Sequence, residues 1–249
     1  MRAVLGLHIS ITIINIVSKM KKICFLLSLV LLASCDFDLD EEKKEEPKKE
    51  SVIPEYVDLG LTSGLKWATK NVGASTPTDF GYYLSWGEIS EKLNYDWSVY
   101  RWCSGKENTL IKYCCDAESG RVDSLKVLEA ADDAASKLMG KDWRMPTYSE
   151  YDELINECTW KWVTSYNGVN VNGYVITGSN GKSIFFPAGG AMMGTNLYSK
   201  DITGGYWSSS LREDKSLNNS AILIMFEEGE YRLESEYRMN GFNVRAVRK

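Results

Sequence analysis

Histidine is nearly missing from this chain. The only one, His8, lies in an N-terminal segment read below as a cleaved leader, so the mature chain is expected to hold none. That removes the commonest general base and the commonest metal ligand, and with them nucleophiles activated as Ser-His or Cys-His pairs. Basic excess is also missing. The net charge is −5, without the positive surplus that binding to a phosphate backbone usually requires, so no nucleic acid partner is expected. Proline is scarce, at five residues in 249, and beyond Glu55 no Pro/Gly-rich linker splits the chain. One domain over 55–249 is therefore expected.

What is present begins with an address. From Met20 the chain reads MKKICFLLSLVLLASC. Lys21 and Lys22 form a positive n-region, and Ile23 to Leu32 an apolar run too short to span a bilayer as a helix. Small residues before Cys35 resemble the lipobox of bacterial lipoproteins, which implies acylation of Cys35 and a leader over 1–35; translation starts at Met20 or, with a longer apolar leader, at Met1. Residues 36–54 carry eight acidic side chains and four lysines with few apolar ones, the composition of a disordered tether. Acidic residues directly after a lipidated cysteine resemble the surface-export signal of some Gram-negative lipoproteins. The expected location is the outer membrane, held by acyl chains, facing the cell surface, with a periplasmic orientation as the alternative.

Within 55–249, glycine-punctuated short runs predict strands near 55–73, and residues 80–120 read as aromatic-rich loop. A helix is predicted over 125–139, where Leu125, Leu128, Ala131, Ala135 and Leu138 share a face and Gly140 stops it. A second helix follows Pro146. Thr147 and Glu150 have capping-box spacing, and Tyr151, Leu154, Ile155 and Cys158 form an apolar stripe. Glu150 is thereby read as a cap and not as a catalytic acid. Asn180-Gly181 and Glu228-Gly229 predict hairpin turns, and FNVRAVR a closing strand. GSNGKS resembles a phosphate loop only superficially, because the required first glycine position is Ile176.

Four segments in order, YVDLGLTSGLKWATKNVGA, DWRMPTYSEYDEL, GYWSSS and RMNGFNVRAVR, together resemble the Fibrobacter succinogenes major paralogous domain family. The resemblance implies an α+β, C-type-lectin-like fold: two helices packed on a mostly antiparallel sheet, long loops, and terminal strands side by side. It implies scaffold roles for Trp143 against the sheet, Arg144 on loop carbonyls, Pro146 and Thr147 at the helix start, Trp207 in the core, and Arg245 on backbone or carboxylate. Family members commonly carry cysteine where this chain has Lys70.

Four cysteines follow Cys35, with one disulfide expected among Cys103, Cys114 or Cys115, and Cys158; the pair put forward is Cys103 with Cys158. Their spacing does not suit zinc. The Glu-Pro-Asn or Gln-Pro-Asp triplet of calcium-dependent sugar lectins does not occur, and no motif assigns calcium or any other cofactor. Formylglycine-generating enzymes share the implied fold, but no cysteine follows Cys158 to carry that chemistry. The expectation is a non-enzymatic binding or adhesion module for a glycan or protein ligand, or else a structural envelope component. The related folds imply ligand contacts from loops in the C-terminal half, here Tyr198, Arg212, Tyr231, Arg232, Tyr237 and Arg238. Trp160 and Trp162 are a candidate sugar-stacking pair, with core packing of at least one of them as the favoured reading.

Overall fold

The computed structural model describes residues 56–212 and 218–249. By internal contacts the chain divides into Met1–Ser51 and Val52–Lys249, and the described residues belong to the second unit. The leader, Cys35 and the tether lie outside the described residues.

The fold is α+β. The strands are β1 (Tyr56–Asp58), β2 (Lys66–Asn71), β3 (Thr159–Val163), β4 (Gly173–Thr177), β5 (Ser183–Pro187), β6 (Ala191–Met193), β7 (Asn196–Tyr198), β8 (Thr203–Leu211), β9 (Ser220–Glu227), β10 (Glu230–Tyr237) and β11 (Arg245–Arg248). The α-helices are α1 (Ala134–Met139) and α2 (Tyr148–Glu157). The strands pair antiparallel in the orders β1-β2-β11, β10-β9-β8, β3-β4-β5 and β6-β7. The first and last strands thus flank β2 in one sheet.

Strand alternation divides the core. Along β8 and β9, Trp207 and Leu223 face a cluster with Trp86, Trp143 and Phe242, while Tyr206, Ile224 and Phe226 face a second with Trp67, Tyr151 and Trp160. The β8-β9-β10 sheet therefore has apolar packing on both sides, which explains why AILIMF reads as a nearly unbroken apolar run. A smaller cluster around Tyr100, Cys103, Leu110 and Cys114 lies under the long loops.

Local signals hold where the partners are local. Thr147 Oγ1 accepts the Glu150 N–H while a Glu150 carboxylate oxygen accepts the Thr147 N–H at 2.8 Å, completing the capping box. Both predicted hairpins form, β4–β5 and β9–β10. At the first, only Gly181 has positive φ, because the connection is the longer 178–182 loop; Asn180 instead donates to the Asp58 carbonyl at 2.9 Å and seats the tip on β1.

The helix predicted over 125–139 is shortened to α1. Residues 126–128 pair with β8 instead, the Leu128 N–H donating to Ser209 O at 2.9 Å and the Leu211 N–H to Lys126 O at 2.8 Å. The helix starts only at its cap, Asp133, whose side chain accepts the Ser136 N–H. A helical period in the sequence yields here to a strand partner about 80 residues away.

The expected Cys103–Cys158 disulfide is corrected. Both are free thiols, as are Cys114 and Cys115. Cys103 packs among Tyr100, Leu110 and Cys114, whereas Cys158 caps the end of α2 against the other core, so the fold does not bring the two sulfurs together.

Candidate functional site

The serines after Trp207 join the helix to the sheet. β8 and β9 lose register between Trp207 and Leu211. In that irregular stretch the Ser208 hydroxyl donates to Ile222 O at 2.7 Å, and the Ser209 N–H to Pro146 O at 2.7 Å. The Tyr148 N–H, at the first residue of α2, donates to the Ser210 hydroxyl at 3.1 Å. Small hydroxylated side chains fit this seam because they satisfy backbone groups that a regular ladder would have paired.

A cleft of about 740 Å³ opens beside the seam, between the first turn of α2 and the β9–β10 face. Its floor is apolar: Val127, Leu211, Ile222 and Leu233. Hydroxyls of Thr147, Ser149, Ser210 and Ser235 line its walls, with Lys126, Arg212 and Glu234 as the charged members. Arg212 is held across the opening by a 2.7 Å bond from Nη1 to the Ser235 hydroxyl. Tyr148 stands 46% exposed at the rim. An apolar floor with a few placed polar groups is the usual make-up of a small-ligand site.

A second cleft, of about 540 Å³, adjoins it and shares Val127 and Thr147 as lining. Trp143, Asp133 and Ser136 form its interior, with Lys141, Arg144 and Arg248 around it. The Arg248 guanidinium lies over the Trp143 ring at 5.4 Å and the Tyr56 ring at 5.3 Å. The Asp133 carboxylate accepts N–H groups from Ser136 at 2.9 Å and Met145 at 2.8 Å. Burial nonetheless outweighs those bonds and pushes its carboxyl above the ordinary aspartate value.

The scaffold residues expected from sequence take up structural places. Trp143 and Trp207 are buried in the same cluster, and the Trp207 indole N–H donates to Leu84 O at 2.8 Å. Arg144 differs from expectation: its main partner is the Glu150 carboxylate, with Met145 O a weaker contact at 3.2 Å. Burial opposes the charge on Glu150, but Arg144 and the Thr147 N–H hold its carboxyl below the ordinary glutamate value. Arg245 is fully buried and donates to Asn71 Oδ1, Ala68 O and Phe185 O, with no carboxylate among these partners.

The ligand residues expected from sequence do not converge. Of the six, Arg212 is the one that lines either of these two clefts. Tyr198 is exposed on β7, and Tyr237 is exposed at the far end of β10, edge-on to Trp97. Arg232 is exposed and paired with Glu230 at 2.6 Å and Glu234 at 2.5 Å. Tyr231 is partly buried, stacked on Trp160 at 4.6 Å.

Arg238 is corrected outright. It has no exposed surface, its Nη1 donates to Tyr113 O at 3.0 Å, its Nη2 donates to Asn218 O, and it lies over the Trp86 ring. It fastens the long loop to the sheet and cannot meet a ligand. Of the two readings of Trp160 and Trp162, core packing is the one the structure shows. Trp160 is only 9% exposed, and both indoles pack edgewise on Tyr174 and Phe226 or tilt against them.

Sequence reading missed Tyr148, Ser149 and Ser235. Their neighbours in the cleft come from segments up to about a hundred residues away, and no local pattern marks them. Among the described residues no group of three His, Cys, Asp or Glu side chains gathers as a metal site would require. Burial raises the thiol of Cys114 and pushes that of Cys158 up to about 11, so neither is a ready thiolate at neutral pH.

Comparison with protein-family profiles, with curated proteins and with solved structures found no match.

Proposed function

We propose that this chain is a lipid-anchored binding module of the bacterial cell envelope, acylated at Cys35, that presents a C-type-lectin-like domain at the outer membrane surface and binds its ligand without chemical turnover. The observation that carries the binding assignment is the 740 Å³ cleft, in which hydroxyls and a guanidinium surround an apolar floor at the junction of α2 with the sheet. Of its charged members, Arg212 is bonded to the Ser235 hydroxyl and Glu234 is paired with Arg232, an arrangement that suits holding a ligand. The lectin-like reading is supported, among the described residues, by the first and last strands lying in one sheet, by two α-helices, and by long loops between β2 and α1. The membrane reading rests on the residues before Cys35 and the charged stretch after it.

The test is a ligand screen of the full-length chain in detergent, against glycan and protein arrays, beside a Ser149→Trp variant that fills the cleft from an exposed helix position. Binding that the variant loses supports the reading. Turnover of an arrayed substrate, or binding indifferent to Ser149→Trp, overturns it.

A further inference from the structure

The two clefts adjoin at Val127 and Thr147, and together they are cation-rich in an acidic protein. Lys126, Lys141, Arg144, Arg212, Arg248 and Lys249 line them, against Asp133, Asp142 and Glu234. The chain as a whole carries −5. Among the side chains that line the two clefts, six cations thus stand against three acids. Two of the acids count for less than their number. Glu234 is already paired with Arg232 at 2.5 Å, and buried Asp133 has a raised carboxyl value and spends its oxygens on backbone N–H groups. Arg144 is likewise taken up by Glu150, so the cations left to face a ligand are chiefly Arg212 at one end and Lys141 and Arg248 at the other.

The wall between those ends is made of hydroxyls. Thr147 and Ser149 are 3.1 Å apart at the start of α2, and Ser235 accepts from Arg212, which leaves its own proton to donate. Tyr148 projects at the rim, where an exposed ring can lie against the C–H face of a sugar. From this geometry we infer that the joined groove takes an anionic oligosaccharide, with carboxylate or sulfate groups on Arg212, Lys141 and Arg248 and ring hydroxyls on the serine and threonine wall. An acidic peptide fits less well. The free edge of the β10-β9-β8 sheet, which would have to accept an added strand, is β10 itself, and it carries Glu230, Glu234 and Glu236 against Arg232.

This inference rests on the cleft being the ligand site, and its test separates the two. The full-length chain in detergent is titrated with oligogalacturonate, a sulfated galactan oligosaccharide, a neutral galactan of equal length, poly-glutamate and a DNA oligonucleotide, at low and at physiological salt. The variants are Ser149→Trp and the double change Lys141→Gln, Arg212→Gln, all at exposed positions, with thermal melts as the check on folding. The expected result is preference for one or both anionic sugars, weakened by salt. The double change should weaken binding about tenfold, from about threefold per charge. Ser149→Trp should abolish it. A neutral galactan bound as well as its anionic counterpart and lost with Ser149→Trp overturns the anionic assignment and leaves the cleft as the site. Poly-glutamate or DNA bound more tightly than the sugars overturns it too. Sugar binding unaffected by Ser149→Trp overturns both readings.

Discussion

Arg144 and Glu150 meet through two parallel bonds, Nη1 to Oε2 at 2.6 Å and Nη2 to Oε1 at 2.5 Å, while Glu150 Oε2 also accepts the Thr147 N–H. One carboxylate thus closes the capping box and clamps the arginine that β11 holds by backbone bonds between residues 144 and 247. Replacing Glu150 with Gln keeps an acceptor for the cap but loses the charge pair, and should cost about 1 kcal/mol; Glu150→Ala loses both and should cost about 2 kcal/mol. Denaturant titration of the two variants measures the difference.

The same carboxylate sets a pH dependence. Its folded value lies below its unfolded one, which is about 4.3. Its contribution is therefore complete above that unfolded value and is lost as pH falls through the folded one. Chemical denaturation between pH 7 and pH 3 should show wild type losing its advantage over Glu150→Gln as the acid range is entered. An advantage that grows toward low pH would refute the assignment.

Arg245 is a buried cation whose charge is offset by dipoles and not by an acid. It lies over the Phe186 ring at 4.5 Å and joins β11 to β2 and β5. Arg245→Met leaves Asn71 Oδ1 and two carbonyls short of a donor and should cost about 3–5 kcal/mol. Arg245→Lys should not rescue it, because a single ammonium cannot reproduce the fork. Urea midpoints of the two variants test this.

Two glycines of one hairpin should fail in different ways. A Cβ on Gly178 would stand 1.9 Å from Leu59 O, whereas a Cβ on Gly181 would meet nothing within 4 Å but would sit at φ +78°. Gly178→Ala should cost about 3 kcal/mol through displaced backbone, and Gly181→Ala about 1 kcal/mol through the left-handed conformation alone. Asn, which tolerates that conformation, should be nearly neutral at 181 and damaging at 178. Melting temperatures of the four variants separate space from conformation.

The thiols should react in a set order. Cys103 and Cys114 are buried, and the thiol of Cys158 is raised to about 11 by burial, with Glu157 and Glu153 adding to it. Timed iodoacetamide labelling at pH 7.5, read by peptide mass spectrometry, should mark partly exposed Cys115 first, the raised but also partly exposed Cys158 more slowly, and buried Cys103 and Cys114 only on unfolding. A peptide pair linked through Cys103 and Cys158 would contradict the structure.

Legibility followed sequence distance. The capping box, the stop at Gly140 and both hairpin turns were readable because donor and acceptor lie within five residues. Residues 125–133 were misread because Leu125, Leu128 and Ala131 do repeat with a helical period, and nothing near them announces that 126–128 will pair with β8. Arg238 was misplaced because an arginine between a tyrosine and a methionine looks exposed; its inclusion in RMNGFNVRAVR, beside the equally buried Arg245, was the one available sign.

By itself the sequence determined the capping box, the stop at Gly140 and the two hairpin turns, since contacts between near neighbours suffice for those. Tertiary structure alone decided which arginines are inside, that Cys103 and Cys158 lie in different clusters, and that Tyr148, Ser149, Arg212 and Ser235 border one cleft. Those outcomes depend on groups tens of residues apart competing to satisfy the same backbone atoms and fill the same core, and only the closed fold settles that competition.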